Sequence, residues 1–130
     1  MVAYSFKARF ADPILSGEKQ QTIRAHRKRH AYGGQILHLY TGMRTRQCRL
    51  LARAICQSVE RIKIDVDGGS VHFCRQVETI AGAELDAFAR RDGFADWPDM
   101  QAFWRAEHPS IATFDGVLIR WDELLPPTAP

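Results

Sequence analysis

At 130 residues, with 45% hydrophobic and 25% charged side chains, the chain has the length and balance of one globular domain that can bury a core. Its longest apolar runs are four or five residues, and Met1 to Lys7 lacks the pattern of a secretory leader, so a cytoplasmic protein with no membrane partner is expected. The net charge of +3 hides thirteen Lys and Arg against four Asp and Glu in residues 1–65, and five against eleven in residues 66–130. Such a split belongs either to a phosphate-rich partner or to two halves that neutralise each other. Cys48, Cys56 and Cys74 are odd in number and form no Cys-x-x-Cys pair, so all three are expected as free thiols packed in the core.

Val2 to Phe6 alternates as a first strand. In Ala11 to Gly17, Asp12 reads as a helix N-cap, Pro13 as the first helical residue and Gly17 as the stop. Gln20 to Ala25 alternates again, and a basic loop from Arg24 to His30 follows it. Gln35 to Tyr40 is a buried strand. Gln47 to Ile64 is a long bent strand, or two strands joined by a bulge, with Leu50, Ala52, Ala54 and Cys56 on one face. Asp67-Gly68-Gly69 turns the chain, and Ser70 to Val77 returns as the second arm of a hairpin. Leu85, Phe88 and Ala89 mark a helix over Ala81 to Arg90, and Asp96 caps a second one that buries Met100, Phe103 and Trp104. Phe114 to Trp121 is the last strand, and Trp97, Trp104 and Trp121 are core anchors. About six strands with peripheral helices define an α+β fold built on a small barrel. One domain spans residues 1–125, with a flexible tail over 126–130.

No phosphate-loop or dinucleotide motif occurs, and His26 and His30 lie in a basic stretch that repels a cation, so neither a cofactor nor a metal is expected. Attention falls on Lys19, Thr22 and Arg24. Two residues apart on an extended segment, Thr22 and Arg24 point to one face while Ile23 points to the core, and Lys19 reaches them from the preceding turn. An ammonium, a hydroxyl and a guanidinium in one cleft suit an anion or a carbonyl, and a desolvated Lys can act as base or nucleophile. The same residue types also guard an exposed sheet edge. Arg27, Lys28, Arg29, Arg44 and Arg46, with Tyr40 and Tyr32 nearby, mix positive charge and aromatic surface in the way single-stranded RNA requires, although a solvated basic face has the same composition. Arg44 and Arg46, two apart, share a face if that segment is extended.

Gly17-Glu18-Lys19-Gln20-Gln21-Thr22-Ile23-Arg24 resembles the Gly-x-Lys-x-x-Thr-x-Arg signature of the ASCH domain family. The likeness continues through Tyr32 to Leu37, Phe88 to Phe94 and Phe114 to Trp121, and covers roughly residues 4–122. It implies a PUA-like β-barrel that binds RNA, a nucleotide or a modified nucleoside. Some members of the family are amidohydrolases of N4-acetylcytidine that use a Lys, a Thr and a Glu. Carried onto this chain, the resemblance makes Lys19 and Thr22 catalytic and puts Asp92 where the family has the Glu, flanked by Arg90 and Arg91, which are expected to hold it ionised. Other members are RNA-binding or ribonuclease-like, which implies binding alone or metal-independent RNA cleavage as alternatives. Asp is one methylene shorter than Glu, and a displacement of about 1 Å can cost on the order of 100-fold in rate.

Overall fold

In the computed structural model, which describes residues 2–127, seven strands form one sheet and three helices pack against it. The fold is α+β. The elements run β1 (Val2–Phe6), α1 (Ala11–Ser16), β2 (Gln21–Arg24), β3 (Ile36–Thr41), β4 (Arg49–Asp65), β5 (Ser70–Phe73), β6 (Glu78–Ala81), α2 (Glu84–Arg91), α3 (Trp97–Glu107) and β7 (Thr113–Leu124). No helix among the described residues is long and apolar enough to cross a membrane.

β4 is the spine of the sheet. One of its edges takes β3 and then β5 in succession, with Ala54 opposite Leu37 and Ile62 opposite Phe73. Its other edge carries β7 from Ala54↔Leu124 to Asp65↔Thr113, with register shifts on either side of Cys56 that bend the strand. β1 joins β3 in parallel and β2 joins β7 antiparallel, so β1 and β2 end the two flanks. No backbone ladder joins them, and the sheet is open where a barrel would close. A side chain bridges the opening instead, as Arg24 Nη2–H donates to the Ser5 carbonyl at 2.7 Å.

The core follows from the strand and helix periods. Ile62, Ile64, Val71 and Phe73 from β4 and β5 are buried beneath Leu85, Phe88 and Ala89 of α2 and Met100 and Trp104 of α3, and Phe73 meets Phe88 edge-on at 6.0 Å. Burying a side chain of this size is worth about 1.5–3 kcal/mol, enough to orient both helices. α3 starts where expected, with the Asp96 carboxylate accepting the Asp99 N–H at 2.9 Å. All three tryptophans are buried.

Several expectations are corrected. There are seven strands because β6 adds a second hairpin arm, in which only Ile80 is buried, too little pattern to announce a strand. α2 accordingly starts at Glu84 rather than Ala81, and β5 stops at Phe73 rather than Val77. Asp12 is not the cap of α1. The helix continues a 3-10 turn over Ala8–Phe10, which leaves Asp12 and Pro13 inside the first turn, where a missing N–H has no intrahelical partner to lose. Leu50 and Cys48 are exposed and Cys74 is only half-buried, because β4 enters from a turn over open water and its core face begins at Ala54. β7 continues to Leu124, and the Leu125 N–H still donates to the Arg53 carbonyl at 2.8 Å. Residues 128–130 of the expected tail lie outside the described residues.

Candidate functional site

The opening between β1 and β2 holds a cavity of about 200 Å³, lined by Lys19, Thr22, Arg24 and Asp92 with Phe6, Phe10, Phe94, Phe103 and Trp104. Its polar side is built by two chain reversals and a backbone hydrogen bond between them. Gly17, at φ 86°, ends α1 in the left-handed conformation and turns the chain so that the Lys19 N–H closes on the Pro13 carbonyl at 2.9 Å. The Gln20 N–H then donates to the Arg91 carbonyl at 2.9 Å, which pins the start of β2 against the end of α2. At that end Gly93, at φ 95°, stops the helix and leaves the Asp92 carbonyl aimed at Lys19. A Cβ on Gly93 would lie 2.9 Å from Lys19 Cδ and 3.1 Å from the Phe10 ring, so only glycine suits both the angle and the space.

Lys19 is 2% exposed and Asp92 5% exposed, both far below what these residue types show in water. The ammonium donates to the Asp92 carbonyl at 2.5 Å and stands 3.8 Å from its carboxylate. It also lies 4.6 Å from the Phe10 ring centre and 5.4 Å from that of Phe6, so aromatic faces supply much of its solvation. Burial lowers the Lys19 pKa to about 8 against the opposing pull of Asp92, and burial raises that of Asp92 to about 6 despite Lys19. The expectation that Arg90 and Arg91 hold Asp92 ionised is therefore corrected. Desolvation dominates, and the groups that oppose it are Lys19, Gln21 and Arg24 rather than the two neighbouring arginines.

Thr22 and Arg24 share a face as the strand period requires, and Arg24 Nε–H donates to Thr22 Oγ1 at 3.0 Å. The Arg24 guanidinium packs on the rings of Phe6 and Tyr4, at 4.8 and 5.2 Å. Ile23 is half-buried and also lines the cavity. Gln21 joins the site without a sequence signal. It is 1% exposed, its Nε2–H donates to the Asp92 carboxylate at 3.4 Å, and its Oε1 has no partner among the described residues. Nothing in the alternation of β2 distinguishes this glutamine from a solvent-facing one.

The basic residues divide. Arg27 lies 4.7 Å from the Tyr4 ring centre, on the ring Arg24 also touches, and its Nε–H donates to the Arg29 carbonyl at 2.7 Å. Lys28 and Arg29 are exposed in the same loop. His30 anchors that loop. Its Nε2 donates to the Ala25 carbonyl, which leaves Nδ1 to accept from the Tyr4 hydroxyl, each at 2.9 Å. Tyr40, Arg44 and Arg46 do not line the cavity. Arg44, at φ 66°, and Arg46 sit in the turn before β4, so the extended segment expected to align them is absent, although the turn is tied to β1 by the Met43 N–H and Ser5 Oγ at 3.3 Å.

The arrangement is an aromatic enclosure with one buried acid, one buried amine, a hydroxyl and a guanidinium. Compared with known proteins, the chain matches no family model, no curated sequence and no solved structure.

Proposed function

We propose that the β1–β2 cavity binds RNA, or a nucleotide or modified nucleoside, as a PUA-like ASCH domain of the cytoplasm would. The observation that carries the proposal is the meeting of Lys19, Thr22, Arg24 and Asp92 in one aromatic-walled space of about 200 Å³. An aromatic enclosure with a few convergent polar groups suits a flipped-out base, which is recognised by stacking and by hydrogen bonds to its edge. The Arg27-Lys28-Arg29 loop beside Tyr4 supplies charge for the attached phosphates. Single-stranded RNA binding, followed by fluorescence anisotropy, should weaken steeply from about 50 to 200 mM salt. Replacing Arg27, Lys28 and Arg29 by Ala should flatten the log–log slope by about 2. Affinity that ignores salt would end the proposal.

A second function, hydrolysis of an N4-acylated cytidine, is favoured by the opposed pKa values of Lys19 and Asp92. Each group lies near neutrality, where proton transfer is most effective. In this scheme neutral Lys19 takes the proton of the attacking hydroxyl, whether of Thr22 or of water. It returns that proton to N4 as the acyl C–N bond breaks and cytidine leaves. Where Thr22 attacks, water then hydrolyses its ester to release acetate. Thr22 is nucleophile or oxyanion partner, and Asp92 orients the amine. Incubation with N4-acetylcytidine should release cytidine and acetate at a rate that rises as pH approaches 8. No turnover by the native chain, or equal turnover by Lys19→Ala, would leave binding as the function.

A further inference from the structure

The basic residues that do not reach the β1–β2 cavity form a surface of their own. Between Glu18 and Glu60 the chain has no Asp or Glu. Arg44, Arg46, Arg49 and Arg53 occupy the turn between β3 and β4 and the start of β4. Resting on the RNA-binding reading of the cavity, we infer that this region is a second contact surface for the same ligand. That ligand is then a single strand of RNA rather than a free nucleoside or nucleotide.

The strand register joins the two surfaces. Tyr4, Phe6, Leu37 and Leu39 are buried, so by the period of two Ser5, His38 and Tyr40 project from the other face of β1 and β3. Tyr40 lies between Ser5 of β1 and Leu50 of β4, and His38 lies opposite Arg53. Ser5 belongs to both surfaces. It lines the cavity and its carbonyl accepts from Arg24, while its hydroxyl oxygen accepts the Met43 N–H at 3.3 Å and holds the Arg44–Arg46 turn beside it. At the usual strand spacing, Tyr40 stands about 5 Å and Leu50 about 10 Å beyond Ser5. A nucleoside in the cavity reaches none of these groups, whereas its neighbours in a strand do.

Charge pairing separates this surface from the rest. Elsewhere Lys7, Arg9, Arg61 and Arg105 each meet a carboxylate at 2.7–3.1 Å. Among the described residues, no carboxylate lies within ion-pair reach of Arg44, Arg46, Arg49 or Arg53. The two halves of the chain therefore do not neutralise each other here. All four cations are arginine, which clamps a phosphate with two hydrogen bonds and stacks on a ring. Leu50, 45% exposed, and half-buried Tyr40 lie among them as apolar surface on which a base can stack.

The inference is tested on the full chain by fluorescence anisotropy with labelled oligouridylates of two lengths. One of about 12 nucleotides, long enough for a full single-strand site, should bind about 100-fold more tightly than one of about 3. Replacing the exposed Arg44, Arg46 and Arg49 together by Ala should remove most of that gain, flatten the salt slope of the longer RNA by about 2 and leave the shorter one unchanged. Removing as much charge from another surface, with Lys63, Arg75 and Arg90 replaced by Ala, should cost the longer RNA less than about 3-fold. Equal affinity for the two lengths, or equal loss in the two triple variants, would overturn the second surface and leave the cavity reading standing. The opposite result is a shorter RNA that does not bind and a longer one still held by the three arginines. It would end the cavity reading and keep this surface.

Discussion

Two ion pairs in different regions of this molecule reverse the usual relation between geometry and environment. On the outer face of the β4–β7 ladder, Arg61 and Asp115 make two hydrogen bonds at 2.7 and 3.0 Å, with His26 on the same carboxylate at 3.1 Å. The arginine and the histidine hold Asp115 well below the usual carboxylate range. In the β1–β2 opening, Lys19 and Asp92 are almost fully buried yet stand 3.8 Å apart. The good geometry is found where solvent makes it least valuable, and the loose geometry where desolvation makes it most costly. A buried pair held this way keeps both groups available to a third partner, which is what a binding cavity needs.

The largest effect should come from the backbone that creates the buried pair. Gly93→Ala must hold a side chain at φ 95° against Lys19 and Phe10, and should lose about 2–3 kcal/mol by urea denaturation. Gly82→Ala, at φ 62° with open space around it, should lose about 1 kcal/mol. Equal losses at the two glycines would show that the contact with Lys19 does not matter.

Next, replacing the pair together, Lys19→Met with Asp92→Leu, should raise stability at pH 7 by about 1–3 kcal/mol while ligand binding is lost. Each single replacement should be less stable than the double. A double variant less stable than the native chain would mean that the pair serves the fold rather than the site.

The same strain should appear in the pH dependence. Asp92 is raised in the fold from 3.8 to about 6, so its contribution is full below the lower value and lost as pH rises through the higher. Lys19 is lowered from 10.5 to about 8, so its contribution is absent below the lower value and returns as pH rises toward the higher. Relative to the double variant, the native chain should therefore be weakest between about pH 6 and 8 and gain on either side. A difference that stays flat all the way from pH 3.8 to pH 10.5 contradicts the assignment. The smallest effect is expected at the exposed pair, where Arg61→Ala should leave the denaturation midpoint within error.

How much of this was visible beforehand differs between the two halves of the site. Lys19, Thr22 and Arg24 were legible together because they lie within one turn and one short strand, where local geometry decides direction. Asp92 is 73 residues from Lys19 and was reached only through the ASCH resemblance. Gln21, the Ser5 carbonyl and the aromatic enclosure had no local mark. They become site groups only because β1 and β2 face each other across the open sheet. Arg44 and Arg46 went wrong for the opposite reason. The period of two was applied to a turn in which Arg44 adopts a left-handed conformation.

By itself, the sequence determined the features that depend on neighbours within a few residues. These are the stop at Gly17, the shared face of Thr22 and Arg24, the cap at Asp96 and the α+β character carried by alternating and helical periods. Tertiary structure decided which strands pair, that the sheet stays open between β1 and β2, and that burial rather than Arg90 and Arg91 sets the state of Asp92. The reason is physical. A side chain's direction follows from local backbone angles, but its solvent, its dielectric and its partners are set by segments far along the chain that pack around it only once the whole core is assembled.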